Sequence, residues 1–194
     1  MLRALFWAES SGRLPAHCWG CKVSARYRVR QFWSAWRAHV EPEERQLVGL
    51  CLSPPLQRLF DRLSVADQRH SLDVLYALRD KGYSDRDLLA AALLHDVGKA
   101  GTTLHLWQRV AIVLLQATWP ALLDELAWGD PANWRYAFYI QREHPEIGAR
   151  LAQEAGASPL TVELIRRHQV PLRQPGTSLE DKFLRVLQEA DGIR

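Results

Sequence analysis

At 194 residues, 47% hydrophobic and 24% charged, the chain has the composition of a folded globular protein, which excludes a disordered or low-complexity polypeptide. Its net charge of +3 is unevenly spread: residues 1–40 hold Arg3, Arg13, Lys22, Arg26, Arg28, Arg30 and Arg37 against Glu9 alone. Three cysteines, Cys18, Cys21 and Cys51, cannot all pair, which excludes a disulfide scaffold and fits a reducing cytoplasm.

Residues 1–27 show no helical or strand period and read as an N-terminal extension. Trp7 and Trp19 within it, with Trp33 and Trp36 just beyond, make a basic, aromatic arm. Such an arm suits nucleic acid or an anionic membrane surface, and suits packing on the adjoining domain better. Met1–Ala8 is too short an apolar run for an export signal. Cys18-Trp19-Gly20-Cys21 has half-zinc-site spacing but no second pair to complete it.

From residue 28 onward the signals are helix starts, with little period-two alternation, so an all-α fold is expected. Helices are predicted over 29–39, 43–50, 54–62, 65–81, 85–97, 104–118, 120–128, 132–142, 145–155, 159–168 and 179–192. Ser53-Pro54 and Ser158-Pro159 read as N-caps, and Ser64/Asp67, Ser84/Asp87 and Ser178/Asp181 have capping-box spacing with Asp in place of Glu. Gly82, Gly98, Gly129 and Gly156 fall where helices should stop. Val110–Leu123 is uncharged, but it is shorter than the roughly 20 residues of a membrane span and contains Pro120. A Trp-rich segment, about 104–142, holds Trp107, Trp119, Trp128 and Trp134; core packing is its expected role, with a lid or a dimer face as alternatives.

Several metal-capable side chains interrupt apolar stripes. His70 shares a face with Val74 and Leu78; His95 and Asp96 end the stripe Leu88, Ala91 and Ala92. His168 continues Thr161, Leu164 and Ile165, Asp191 continues Leu184 and Leu187, and His144 precedes Pro145 at what reads as a helix entrance. Four imidazoles and two carboxylates turned inward are costly to bury unpaired, and a shared metal centre satisfies them together. A mixed nitrogen and oxygen set favours Mn, Fe, Co, Ni or Zn, as one or two divalent ions, over Mg or Ca.

With these residues in view, the chain resembles the HD-domain superfamily of metal-dependent phosphohydrolases over about residues 64–194. The resemblance rests on His70, the phrase His95-Asp96-Val97-Gly98-Lys99, the segment His144-Pro145-Glu146-Ile147-Gly148, His168, and Glu189-Ala190-Asp191. It implies a helical bundle over 28–194 with its metal site in the core, a metal set of His70, His95, Asp96, His144, His168 and Asp191, and Asp96 bridging two ions. It further implies hydrolysis of a nucleotide or other small phosphoester by metal-activated hydroxide.

Lys99 is placed to hold a phosphate oxygen or to act as a helix C-terminal cation, and Arg167 and Gln169 are weaker candidates for substrate contact. Gln169 stands where many two-metal members carry a second His, and the Gly-Tyr-Pro signature of the cyclic-di-GMP phosphodiesterase branch is missing. A di-iron oxygenase and a non-catalytic nucleotide sensor use the same framework and stay open as alternatives. Nucleic acid is the less favoured substrate, and a homodimer is compatible with the sequence. His17, His39 and His105 fall outside the ligand pattern.

Overall fold

Helix starts govern the architecture. Ser64, Ser158 and Ser178 each place a side-chain oxygen on the backbone N–H three residues on, satisfying one of the donors that a helix N-terminus leaves unpaired. Ser53 stands at the predicted cap before Pro54 but makes no side-chain bond, and the start predicted at Ser84 moves one residue on: Asp85 Oδ1 accepts from the N–H groups of Asp87 and Leu88. Glu41 and Glu44 close a reciprocal capping box at the first described helix, where Glu41 takes the place of the usual Ser or Thr and Glu44 is the usual N3 acid.

The computed structural model describes residues 39–102, 106–172 and 178–192. Along them run α1 (Pro42–Cys51), α2 (Pro54–Phe60), α3 (Val65–Asp80), α4 (Arg86–Leu94), a 3-10 turn (Val97–Lys99), α5 (Leu106–Thr118), α6 (Pro120–Leu126), α7 (Tyr136–Glu154), α8 (Pro159–Arg167) and α9 (Leu179–Asp191). No strand occurs among the described residues, in keeping with an all-α fold. The extension at 1–27, all but the last residue of the helix expected over 29–39, Cys18, Cys21, His17 and His105 lie outside the described residues. No described helix is long and apolar enough to cross a membrane.

α4 is the centre of the bundle. Every residue from Leu88 to Leu94 is buried, as expected of a helix apolar all round, and it packs against α1, α2, α3, α8 and α9. Leu72, Leu75 and Leu78 of α3, Leu164 and Ile165 of α8, and Leu184 and Leu187 of α9 close around it. Each fully buried leucine contributes about 2 kcal/mol, so this layer fixes the ends of the helices that carry the polar cluster.

α7 is one helix, where a break had been expected at His144-Pro145. Proline lacks the N–H that would bond the carbonyl four residues back. That carbonyl belongs to Gln141, and it accepts instead from His144 Nδ1 at 2.9 Å, so the helix continues through the proline with the imidazole filling the gap.

Gly82 and Gly156 do terminate helices, in left-handed conformations of φ 86° and 84°, and Gly192 does the same for α9. Gly98 has a different role: it lies inside the 3-10 turn and presses on the backbone of α7.

The expectation of a tryptophan core at 104–142 is overturned. Trp107, Trp119, Trp128 and Trp134 are 51–63% exposed, while a small separate core of Ile112, Leu123 and Phe138 joins α5 and α6 to the first turns of α7. Two short helices docked on one neighbour have too little interior to enclose four indoles. The rings meet each other and neighbouring side chains instead: Trp107 lies 5.9 Å from Trp134, and Arg135 stacks on Trp128 at 5.7 Å. His39 is exposed, as expected of a residue outside the ligand pattern.

Candidate metal centre

Six residues from five elements converge beneath α4. His70 comes from the first half of α3, His95 and Asp96 follow the last turn of α4, His144 sits mid-α7, His168 follows α8, and Asp191 ends α9. They form two triads, His70–His95–Asp191 and Asp96–His144–His168, and within each the ligand-type atoms lie within 4.8 Å of one another. His95, Asp96, His144 and His168 are buried; His70 and Asp191 are partly so.

One local rule orients three of the four imidazoles. The last carbonyls of a helix have no intrahelical partner. His95 Nδ1 donates to Ala92 O at 2.9 Å and His168 Nδ1 to Ile165 O at 2.7 Å, each reaching three residues back at a helix end. His144 does so to Gln141 O, the carbonyl that Pro145 leaves free. With Nδ1 donating to backbone, Nε2 is the atom each ring turns inward, the arrangement by which metal-ligating histidines are held in register.

The inward atoms suit a cation. His95 Nε2 is buried with no hydrogen-bond partner, 3.5 Å from Asp191 Oδ1 and 3.8 Å from Asp96 Oδ2. His144 and His168 face each other Nε2 to Nε2 at 3.3 Å although both donate from Nδ1, so two lone pairs oppose across a short gap. A bound ion relieves all three positions, and the donor set of imidazole and carboxylate suits a divalent transition metal. The residues therefore fit the ion, or pair of ions, that the sequence implies.

Asp96 faces both triads. Its Oδ2 is the oxygen nearest His95, while Oδ1 lies 3.3 Å from His144 Nε2 and 4.0 Å from His168 Nε2. Burial raises the cost of its charge, yet Lys99 and His95 outweigh this and hold the carboxyl well below the usual range. Lys99 Nζ contacts Asp96 Oδ1 at 2.7 Å and stays charged against its own burial because Asp96, then Asp67, stabilise the ammonium. Asp191 Oδ1 bonds His70 Nε2 at 2.7 Å, and its carboxyl is also held low: burial opposes the charge, and His95 and then His70 overcome it.

The imidazoles divide by environment. Burial pushes His168 down to about 3, helped by the nearby His95 and His144, and burial followed by Lys99 lowers His144. At His95 burial is outweighed by Asp96 and Asp191, and the ring is raised to about 9. An ion takes the neutral imidazole, so an ion held by His95 would have to expel its proton below that pH. Apparent affinity should then rise with pH by up to about tenfold per unit and level off once His95 is neutral. Without an ion the same shift stabilises the fold below the ordinary imidazole value of 6.5, and that contribution is lost as pH climbs to about 9. Calorimetric titration of a divalent ion in buffers of different ionisation enthalpy reads the released proton; affinity that ignores pH across that window would contradict the assignment of His95.

The arginines are engaged elsewhere. Arg69 pairs with Glu44 at 2.6 Å and Asp73 at 3.0 Å, and Arg166 with Glu163 and Glu146. Arg167, a candidate for substrate contact from sequence, turns its guanidinium to Glu180 and Asp181 at the start of α9. Gln169 does reach the site, its amide nitrogen 3.1 Å from His144 Nε2. Sequence reasoning missed the carbonyls of Ala92, Gln141 and Ile165 that orient the rings; the signal available was three histidines, each three residues past a carbonyl that helix termination or a proline would leave free.

An all-α bundle with histidines and aspartates of this spacing at its centre is the frame of the HD domain. The chain belongs to that family: the HD domain model matches residues 68–193, more than half of its length. Membership places it in a superfamily of metal-dependent phosphohydrolases whose domains bind divalent metals. No curated protein and no solved structure matches the chain.

Proposed function

We propose that the chain hydrolyses a small phosphorylated substrate, a nucleotide or another phosphoester, at one or two divalent transition-metal ions. The Nε2 atoms of His144 and His168, 3.3 Å apart and turned inward beside the Asp96 carboxylate, carry this reading, because a cation satisfies both rings at once. His70, His95 and Asp191 would hold one position, His144 and His168 the other, and Asp96 would be shared between them. Ions bound there supply an activated water at neutral pH and neutralise charge that builds on a phosphoryl group.

The remaining work falls to the protein. Lys99, with its side chain about one-fifth exposed and its ammonium on Asp96, is a positive charge at the site that would attract an anionic substrate. The carbonyls of Ala92, Gln141 and Ile165 keep each ring in the tautomer that turns Nε2 inward, so the ligands need no reorganisation during turnover.

The test is a panel of phosphomonoesters, nucleotides and cyclic dinucleotides assayed with Mn, Fe, Co, Ni and Zn. Metal-dependent release of phosphate or of a cleaved ester is expected with at least one combination. Turnover that instead requires dioxygen, accompanied by mixed-valence iron, would replace hydrolysis with oxygenase chemistry. Tight nucleotide binding without turnover under every metal would make the domain a sensor.

A further inference from the structure

Three imidazoles of the centre donate from Nδ1 to the carbonyl three residues back, and such a contact needs a carbonyl that the helix has not already used. For His95 and His168 the vacancy is automatic. Each caps the C-terminus of its helix, α4 or α8, where the last four carbonyls have no intrahelical donor. His144 has no such place: it lies in the middle of α7, Tyr136–Glu154, where each carbonyl normally accepts from the N–H four residues on.

The regular partner of Gln141 O would be the N–H of residue 145. That residue is proline, which has no N–H, and His144 Nδ1 takes the carbonyl at 2.9 Å. Ile140 O, whose regular helical partner is the backbone N–H of His144, lies farther from the ring at 3.3 Å.

The other edge of the ring faces two acceptors, Asp96 Oδ1 at 3.3 Å and His168 Nε2 at 3.3 Å. A neutral ring with its proton on Nε2 could donate to either, and it would then offer an ion no lone pair there. Gln141 O opposes that form by holding the proton on Nδ1. The Gln169 amide nitrogen, 3.1 Å from His144 Nε2, is a donor and works in the same direction.

We propose that Pro145 is a positioning residue: by withholding an N–H it leaves Gln141 O to the His144 ring, fixes the proton on Nδ1 and presents Nε2 inward as a bare lone pair. Pro145 thus supplies, inside a helix, the free carbonyl that His95 and His168 obtain from a helix end. Its use for an ion rests on His144 being a metal ligand; the place of the proton on the ring does not.

The test takes the ion-free full-length chain, labelled with ¹⁵N at histidine, and compares wild type with Pro145→Ala and Pro159→Ala. Long-range ¹H–¹⁵N spectra show which nitrogen of each neutral ring carries the proton. In wild type His144 should carry it on Nδ1. In Pro145→Ala the restored N–H competes for Gln141 O, so the ratio of the two forms should shift toward Nε2–H by about two- to tenfold, the value of one net hydrogen bond. The His168 ring, held at a helix end, should not change. Equilibrium dialysis of Mn²⁺ against the same variant should show binding weakened by about 10- to 100-fold at one position, the usual effect of losing an outer-shell partner. Pro159→Ala removes a proline from the first turn of α8, where no carbonyl depends on it, and should move neither reading. Circular dichroism checks the fold, and Pro145→Ser restores the same N–H if the alanine variant does not fold. A wild-type His144 protonated on Nε2, or a folded Pro145 variant with an unchanged His144 ring, would overturn the proposal. A shifted ring with unchanged Mn²⁺ binding would overturn its use for an ion. A wild-type chain that has the Nδ1 proton in place and binds no Mn²⁺ would remove the metal reading, while the positioning of the ring stands.

Discussion

Replacing Asp96 with alanine is expected to lower hydrolysis by at least about 10³-fold, a loss of several kcal/mol of transition-state stabilisation at about 1.4 kcal/mol per decade. The size follows from position. Asp96 turns one oxygen to each triad, so its removal would weaken both candidate ion positions at once, whereas any single histidine would serve one. It is also the anion that balances Lys99 and, together with Asp191, holds the proton on His95. Loss of the carboxylate should therefore lower the His95 pKa as well, flattening the pH dependence of whatever ion binding remains. Asp96→Asn separates charge from shape: it keeps an oxygen for Lys99 and a near-identical volume, yet should be almost as inactive and bind correspondingly less metal. Activity, bound metal and the circular dichroism spectrum should be read on the same preparations. Full turnover in folded Asp96→Ala would remove Asp96 from the centre.

The candidate ligand set could be picked out in the sequence because burial of a charge or an imidazole is expensive. Polar residues that continue the stripes Val74–Leu78, Leu164–Ile165 and Leu184–Leu187 had to face the interior, and the structure brings all six together. The serine caps were legible for a similar local reason, a side-chain oxygen within reach of a free N–H. What could not be read was anything set by a long-range partner. Pro145 signals a helix break in isolation, and only the His144 ring filling the vacant carbonyl lets α7 run on. Four tryptophans predict a core, but how much interior α5 and α6 can enclose depends on how few neighbours they have. Arg167 beside a ligand could point either way along α8, and the acids at the start of α9 decide it.

Gly98 shows how such a long-range constraint sets the site, and Gly98→Ala is expected to be the most destabilising glycine-to-alanine change among the described residues. A Cβ there would lie 2.0 Å from His144 O and 2.8 Å from Gly148 N, both backbone atoms that no rotamer change can move aside. Overpacking usually costs 1–3 kcal/mol where side chains can yield. Against rigid backbone we expect about 3 kcal/mol or more, a fall in melting temperature of about 6–12 °C for a domain of this size. Gly148→Ala meets its neighbours at 3.1 Å or beyond and should cost less, about 1 kcal/mol. The difference between the two variants distinguishes close packing from a general preference for glycine. The glycines of the His95–Lys99 and His144–Gly148 phrases are thus two sides of one contact. The 3-10 turn carrying Asp96 touches the helix carrying His144 because neither backbone has a side chain in between. If the alanine methyl is accommodated, it must be by separating these elements, so any folded Gly98→Ala protein should lose the Asp96–His144–His168 ion before the His70–His95–Asp191 ion. Thermal melts with and without Mn²⁺, read beside metal stoichiometry, measure both effects. A variant with unchanged stability and two retained ions would show that the approach of α7 to the turn does not assemble the site.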